Sequence, residues 1–179
     1  MLQITIPSQE LWDSRTDEFV VTKETRLELE HSLIALSKWE SKWEKPFLSK
    51  QEKTNEETVD YIRCMTITRN VDPGIYLFLT MDNLQAVNDY IAAPMTATTF
   101  SNDRSKPSRE IITAEIIYYW MIAYNIPFEC EKWHLNRLLT LIRVCSVKNG
   151  PSKKMSKRDI LRQNAQLNAM RRKQMNTTG

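Results

Sequence analysis

The spacing of apolar residues changes at Ser32, and this change constrains the fold more than any other feature of the chain. Before it, Leu2, Ile4 and Ile6 alternate with polar residues, and segment 19–29 repeats the pattern more weakly. Such alternation is typical of half-buried strands. After Ser32 the apolar residues recur every three or four positions, as on one face of a helix. The sequence therefore predicts a mainly α fold of the α+β kind, with a small N-terminal β element.

Start and stop signals place the helices within the periodic region. Ser32 is suited to cap the first helix, and Thr54 with Glu57 forms a capping box for the second. Ser156 with Asp159 forms another for the last helix, which ends near Met175. The prolines and the Asn-Gly-Pro run end several of these segments. The earlier helices are predicted over Leu33 to Lys45, Thr54 to before Asp72, Thr80 to Ala92, Ile111 to Ile126 and Glu129 to Val147.

The segment from Ile111 to Ile126 is apolar almost all round. A helix with this composition is typically buried on most of its sides. We therefore expect it at the centre of the core. Asn149-Gly150-Pro151 follows the next helix with residues that end a helix and cannot continue it. This predicts a helical domain over residues 1–149 and a helical or disordered tail over residues 150–179.

Charge divides the chain at nearly the same place. Residues 148–179 contain nine of the 25 Lys and Arg residues but only one of the 22 Asp and Glu residues, so they hold a net charge of +8. The other 147 residues then hold 16 basic against 21 acidic residues, a net charge of −5. Such asymmetry indicates that the basic tail contacts something that the body does not.

Composition excludes several classes of function. Three glycines leave no material for a phosphate-binding loop, and no G-x-S-x-G motif is present. No stretch approaches the roughly 20 apolar residues that span a bilayer. Three widely spaced cysteines without a secretory leader favour a reducing compartment. We expect a soluble cytoplasmic protein that is not an enzyme and has no cofactor or membrane partner.

Two groups of side chains resemble catalytic or metal sites but have simpler interpretations. Cys130 and His134 lie four apart near Glu131, yet two ligands do not make a site, and His31 is distant in the sequence. We therefore predict no metal site and interpret His134 as a buried or rim histidine with one hydrogen bond. The other group is acidic and stands at a helix start, where carboxylates favour the helix dipole in water. We interpret it as a solvated helix start; it comprises Glu52, Glu56, Glu57 and Asp60.

Trp39 and Trp43 are four residues apart, so a helix places one indole over the other. One interpretation is an aromatic stripe that binds an apolar partner helix or stacks on bases. The alternative is that both indoles belong to the core, with their N–H groups satisfied at its rim. For partner binding we select Trp39 and Trp43 as candidate anchors.

The basic tail also has two interpretations. Its lysines and arginines have the density needed to neutralise several nucleic-acid phosphates. Alternatively, the tail folds on an acidic or amphipathic protein. Residues 148–179 lack aromatic side chains for base stacking, which favours the protein partner. Arg171, Arg172 and Lys173 are the candidate contacts.

The ending of the chain resembles a known family. Residues 162–179, RQNAQLNAMRRKQMNTTG, are similar to the C-terminal run NA-x-L-NA-x-RR-x-x-x-x-T-x-G of tail assembly chaperones from long-tailed bacteriophages. The blocks LSKWESKWEKPF and EKWHLNRLLTLIRV resemble body segments of the same family. The N-terminal strands have no counterpart in this resemblance.

This resemblance implies a non-enzymatic protein that acts in the host bacterial cytoplasm and is absent from the finished virion. In such a family a mainly helical body coats the tape measure protein before the tail tube polymerises. Many members also have a longer form, made by ribosomal slippage, whose extension recruits tail tube protein. If this chain is the shorter form, residues 176–179 lie near the slip region.

The sequence thus predicts a phage tail assembly chaperone that binds the tape measure protein. Two alternatives stay open: a small phage nucleic-acid-binding regulator that uses the basic tail, and a connector that remains in the virion. Self-association is a further open point.

Overall fold

The structure, a computed structural model, describes residues 1–13, 18–21, 23–100, 111–149 and 157–175. This part of the chain is predominantly helical with a small N-terminal β element, which confirms the predicted fold class. The chain divides into two compact units, Met1–Cys145 and Ser146–Gly179. This division falls inside the fifth helix, a few residues before the boundary that the Asn-Gly-Pro run predicts.

The β element consists of two antiparallel pairs. Strand β1 (Leu2–Ile6) pairs with β4 (Thr25–Leu29), and β2 (Glu10–Asp13) pairs with β3 (Glu18–Val21). The residues of β1 and β4 that face the core are buried, as the alternation predicts: Ile4, Ile6, Leu27 and Leu29. A further segment extends this sheet, because the Ile67 amide donates to the Glu28 carbonyl and the Glu30 amide donates to the Met65 carbonyl.

The helices begin largely where the capping signals place them. The Ser32 and Thr80 hydroxyls accept from the first turns of their helices, and the Thr54–Glu57 capping box is complete. Ser156 lies outside the described residues, so the last predicted capping box is not described. The helices are α1 (Leu33–Trp43), α2 (Asn55–Met65), α3 (Met81–Ala92), α4 (Ala114–Ala123), α5 (Leu135–Asn149) and α6 (Lys157–Met175), with 3-10 helices at Pro73–Phe78 and Phe128–Lys132.

The single helix predicted from Glu129 to Val147 is wrong in its first part. The chain instead forms the 3-10 helix Phe128–Lys132 and then turns before α5 begins. At the turn, His134 forms an isolated antiparallel bridge with Ser32, and the Leu135 amide donates to the His31 carbonyl at 2.7 Å. Pairing with a distant segment therefore determines the start of α5, and periodicity along the chain does not contain this information.

The core consists of two clusters of buried side chains. One joins β1, β4, α2, α3 and the first 3-10 helix, and the other joins α4, α5 and the second 3-10 helix. Helix α1 contributes to both, through Ala35 and Trp39 on one side and Leu33 and Leu36 on the other.

The prediction that the helix around Ile111–Ile126 is the centre of the core is wrong. That segment forms the shorter helix α4, which packs against α1 through Ala114, Ile117 and Met121. Its opposite side is open, with Tyr119 66% exposed and Ile122 61% exposed. No other described element of this unit covers that side. A helix with apolar residues on every side is therefore buried here on one side only.

Candidate partner-binding surface

The stack of Trp39 and Trp43 forms as the spacing predicts, with ring centroids 6.1 Å apart. Trp39, however, is 1% exposed, and its indole Nε1 donates to the Glu57 carbonyl at 2.8 Å. Its ring also packs edge-on against Phe47 and Tyr61. The choice of Trp39 as a partner anchor is therefore wrong, because α1 and α2 enclose the indole, and the core interpretation describes it.

Trp43 lies at the edge of the same stack and is half-buried. Its Nε1 donates to the Asp60 carboxylate at 2.9 Å, and the ammonium groups of Lys42 and Lys45 lie near its ring. The indole is thus fixed by α2 at its N–H group and is only partly exposed. A contact between Trp43 and a partner stays a prediction.

The acidic helix start is solvated only in part. Glu52 and Glu56 are exposed, but Glu57 and Asp60 are buried, so the prediction is wrong for these two residues. Each is neutralised by a lysine: Lys45 Nζ lies 2.6 Å from Glu57, and Lys42 Nζ lies 2.6 Å from Asp60.

These contacts shift the titration of both acids in the same direction. The hydrogen bond from Lys45 and that from the Thr54 amide lower the pKa of Glu57. Burial by itself would raise the pKa of Asp60, but hydrogen bonds from Lys42 and Trp43 outweigh it and lower the pKa below its ordinary value. Both carboxylates are therefore charged near neutral pH and serve as structural anchors between α1 and α2.

Glu40 is a buried carboxylate that joins three segments. One of its oxygens accepts from the Phe47 amide at 2.8 Å, and the other accepts from the Ala114 amide at 2.7 Å. Ala114 begins α4, and Thr113 before it provides no side-chain cap. Glu40 thus caps α4 from another helix. Burial raises its pKa, although the two amides oppose that shift.

A buried histidine pair lies where the start of α1 meets the start of α5. The rings of His31 and His134 are 5.1 Å apart, so residues that are distant in the sequence are neighbours in the fold. His31 Nδ1 shares a 2.6 Å hydrogen bond with the Tyr61 hydroxyl, and His134 Nε2 contacts the Tyr90 carbonyl at 3.0 Å. The prediction that His134 is buried is confirmed, but its ring takes part in two hydrogen bonds and not one, because the Asn136 amide also donates to Nδ1 at 3.3 Å. Burial, and secondarily the neighbouring His134, lowers the pKa of His31 to about 3.

Cys130, the other half of the candidate metal pair, is buried in the second cluster, and Cys145 is half-buried beside it in the same cluster. Glu131 instead accepts a hydrogen bond from the Tyr118 hydroxyl at 2.9 Å. Within the part of the chain that the structure describes, no three His, Cys, Asp or Glu side chains are grouped as metal ligands would be.

The open side of α4 forms an exposed, largely apolar surface next to the second cluster. We define the aromatic patch as Tyr118, Tyr119, Ile122 and Phe128. Tyr118 and Ile122 are neighbours on the helix surface because they are four apart. Phe128 is 55% exposed, and its ring lies 6.4 Å from that of Tyr118. Exposed apolar surface of this kind commonly marks a protein-binding site.

The tail candidates lie on α6, in the second unit. Arg171 and Arg172 are exposed, while the side chain of Lys173 lies outside the described part of the structure. The helix also exposes apolar side chains: Leu161, Leu167, Met170 and Met175. The tail thus offers both charge and apolar surface to a partner.

Sequence reasoning missed the aromatic patch and the histidine pair. The patch was hidden because a uniformly apolar segment gives no sign of which side lacks a neighbour. The histidine pair depends on bringing two distant segments together, and no local signal encodes that contact. The exposed aromatic residues carry the candidate site, while the buried polar groups hold the framework beneath it.

Comparisons of this chain with known protein families, with characterised proteins and with solved structures give no match. Over the described residues, none of the helices combines the length and the apolar character needed to cross a membrane.

Proposed function

We propose that this protein is a non-enzymatic tail assembly chaperone of long-tailed phages, which binds the tape measure protein in the host bacterial cytoplasm. The observation that carries the proposal is the aromatic patch on α4. A long, helix-rich client exposes apolar faces that aggregate unless another surface covers them reversibly. The patch offers that kind of surface on a framework held by buried contacts.

The free energy gained by burying apolar surface at the patch is suitable for reversible binding. Burying about 400 Å² of apolar surface contributes about 10 kcal/mol before the costs of association. Much of this gain is offset by lost translational and side-chain freedom, so one subunit binds weakly. Repetition of the contact along a long client then strengthens the complex through multivalency.

The C-terminal resemblance supports the same proposal and adds a second partner. The motif residues Arg171 and Arg172 are exposed on α6, where an acidic or amphipathic partner can reach them. In the proposed role, this end of the chain contacts assembly components, including the tail tube protein. Trp43, at the rim of the first cluster, is a further contact in this proposal.

The test is co-expression of the full chain with the tape measure protein encoded by the same phage. The chain should raise the soluble fraction of the client and co-purify with it. The double variant Tyr119→Ser/Ile122→Ser should lose both effects while keeping its thermal unfolding midpoint. Leu77→Ser is the matched control, because Leu77 is 81% exposed on a different element and its replacement should leave client binding intact.

The exposed arginines of α6 also favour a second candidate function, a small nucleic-acid-binding regulator. That role predicts binding to generic RNA or DNA with a steep dependence on salt, lost when residues 150–179 are deleted. If the patch variant binds the client normally and the truncated chain loses nucleic acid, the chaperone proposal fails in favour of the regulator. Finding the protein in purified particles would instead indicate a virion connector.

A further inference from the structure

A groove of about 400 Å³ runs between α1 and the segment after α2. We call it the cationic groove and define it by three apolar residues, Ile34, Met65 and Ile67, and three cations, Lys38, Arg69 and Lys132. Met65 is 1% exposed and lies at the floor, while Ile67 is 50% exposed. The volume is in the range of protein pockets that hold ligands or side chains of a partner.

The three cations of the groove differ from neighbouring cations that are already paired. Lys42, Lys45 and Arg63 form ion pairs with the buried carboxylates of α2. By contrast, Lys38, Arg69 and Lys132 make no ion pair and no hydrogen bond with any described residue. Their side chains are exposed at the edge of an apolar surface.

One acid also lines the groove, but it is already engaged. Glu30 accepts a hydrogen bond from the Tyr90 hydroxyl at 2.7 Å, and the N-terminal ammonium lies 3.3 Å from its other oxygen. Its charge is therefore balanced outside the groove. The surface is positive within a body whose first 147 residues are acidic overall.

We propose that the cationic groove binds an acidic peptide segment of a partner protein, with carboxylates at Lys38, Arg69 and Lys132 and an apolar side chain against Ile34 and Ile67. Charge complementarity determines the sign of the partner, and the apolar floor requires at least one bulky aliphatic or aromatic residue. This site is separate from the aromatic patch and does not depend on the proposed function.

A peptide fits this surface better than a nucleic acid does. None of the described residues that line the groove is aromatic, so bases find no ring on which to stack. The apolar floor would also be left uncovered by a phosphate backbone. Acidic side chains that flank an apolar residue satisfy both parts of the surface.

The test uses the full chain and a fluorescently labelled peptide in which glutamates flank two central leucines. Fluorescence anisotropy should show saturable binding that weakens as salt is added. Lys38→Glu and Arg69→Glu should each weaken binding by about 3- to 10-fold, as expected when an exposed attraction becomes a repulsion. Ile67→Ala should also weaken it, which separates the apolar contact from charge.

Lys50→Glu is the matched control, because Lys50 is exposed on a loop away from the groove and its reversal should leave affinity within about 2-fold. Circular dichroism of each variant confirms folding.

The proposal is overturned if Lys50→Glu weakens binding as much as Lys38→Glu, or if the peptide does not bind at millimolar concentration. It is also overturned if a single-stranded RNA displaces the peptide, and if binding of that RNA is lost in Lys38→Glu and Arg69→Glu but is unaffected by Ile67→Ala. The Tyr119→Ser/Ile122→Ser variant should bind the peptide normally, so this result is independent of the client test.

Discussion

Helices α1 and α4 are in contact, but their burial is the reverse of what their composition suggests. The more polar α1 is central, and the more apolar α4 is partly exposed. Helix α1 contains Lys, Ser and Glu residues, yet it contributes to both core clusters and even buries Glu40. Helix α4 is nearly all apolar, yet it contributes to one cluster and leaves Tyr119 and Ile122 exposed. The number of neighbouring elements therefore decides burial here. Helix α1 contacts α2, α4 and a 3-10 helix, whereas one face of α4 is left exposed within its unit.

The burial of α1 depends on how its polar groups are paired. The buried acids along α1 and α2 all have donors, and no described buried side-chain polar atom lacks a hydrogen-bond partner. An amphipathic helix with charges can therefore be central if each buried charge is paired. An apolar helix can in turn present its surplus surface to a partner.

The largest expected effect is the loss of the Trp39 side chain. Trp39→Ala removes a large buried ring and its hydrogen bond to the Glu57 carbonyl, so the free energy of unfolding should fall by about 3–5 kcal/mol. Tyr119→Ala, on the open side of α4, should change it by less than about 0.5 kcal/mol. Chemical denaturation of both variants measures the contrast. Equal losses would show that α4 is covered as fully as α1.

The second effect tests the carboxylate that joins the two helices. Glu40→Ala leaves the amides of Phe47 and Ala114 buried without their acceptor, so it should cost about 2–3 kcal/mol. Glu40→Gln keeps one acceptor oxygen and should cost about half as much. Glu52→Ala is the control, because Glu52 is an exposed loop acid and its loss should have no measurable effect. A neutral Glu40→Ala would mean that solvent reaches these amides.

The smallest effect concerns pH and the start of α1. The folded-state pKa of His31 is about 3, below its ordinary value of 6.5, so the unfolded chain binds more protons. Stability from this group is complete above pH 6.5 and is lost as the pH falls toward 3. Between pH 6.5 and 4.5, where Glu57 and Asp60 are still charged, the free energy of unfolding should fall by about 2 kcal/mol.

His31→Gln keeps a hydrogen-bonding group near Tyr61 but cannot titrate, so its unfolding free energy should depend less on pH over the same interval. Urea denaturation at several pH values gives the slope for each chain. An unchanged slope in His31→Gln would assign the pH dependence to other groups. Lys23→Gln, an exposed substitution, should leave the slope of the parent chain intact.

Local signals predict much of the helical framework. Ser32 places the start of α1, and Thr54 with Glu57 places that of α2, because a cap acts within one turn of the residues it serves. The alternating apolar residues of β1 likewise face the core. For these elements the chemistry that determines the structure lies within a few residues of the site.

Contacts between distant segments account for what the sequence did not reveal. The break before α5 follows from the pairing of His134 with Ser32, and the burial of Trp39 follows from α2 lying over it. Tyr119 is exposed because no described element of its own unit covers it. Periodicity reports which side chains share a face, but it does not report which faces meet.

Glu40 also bears on the order in which the chain folds. Its carboxylate and the first amide of α4 are 74 residues apart, and Thr113 provides no substitute cap nearby. Closing so long a loop costs conformational entropy, and such non-local contacts form slowly. Helix α4 obtains this cap only when α1 is packed against it, so we expect the N-terminus of α4 to become fixed late in folding.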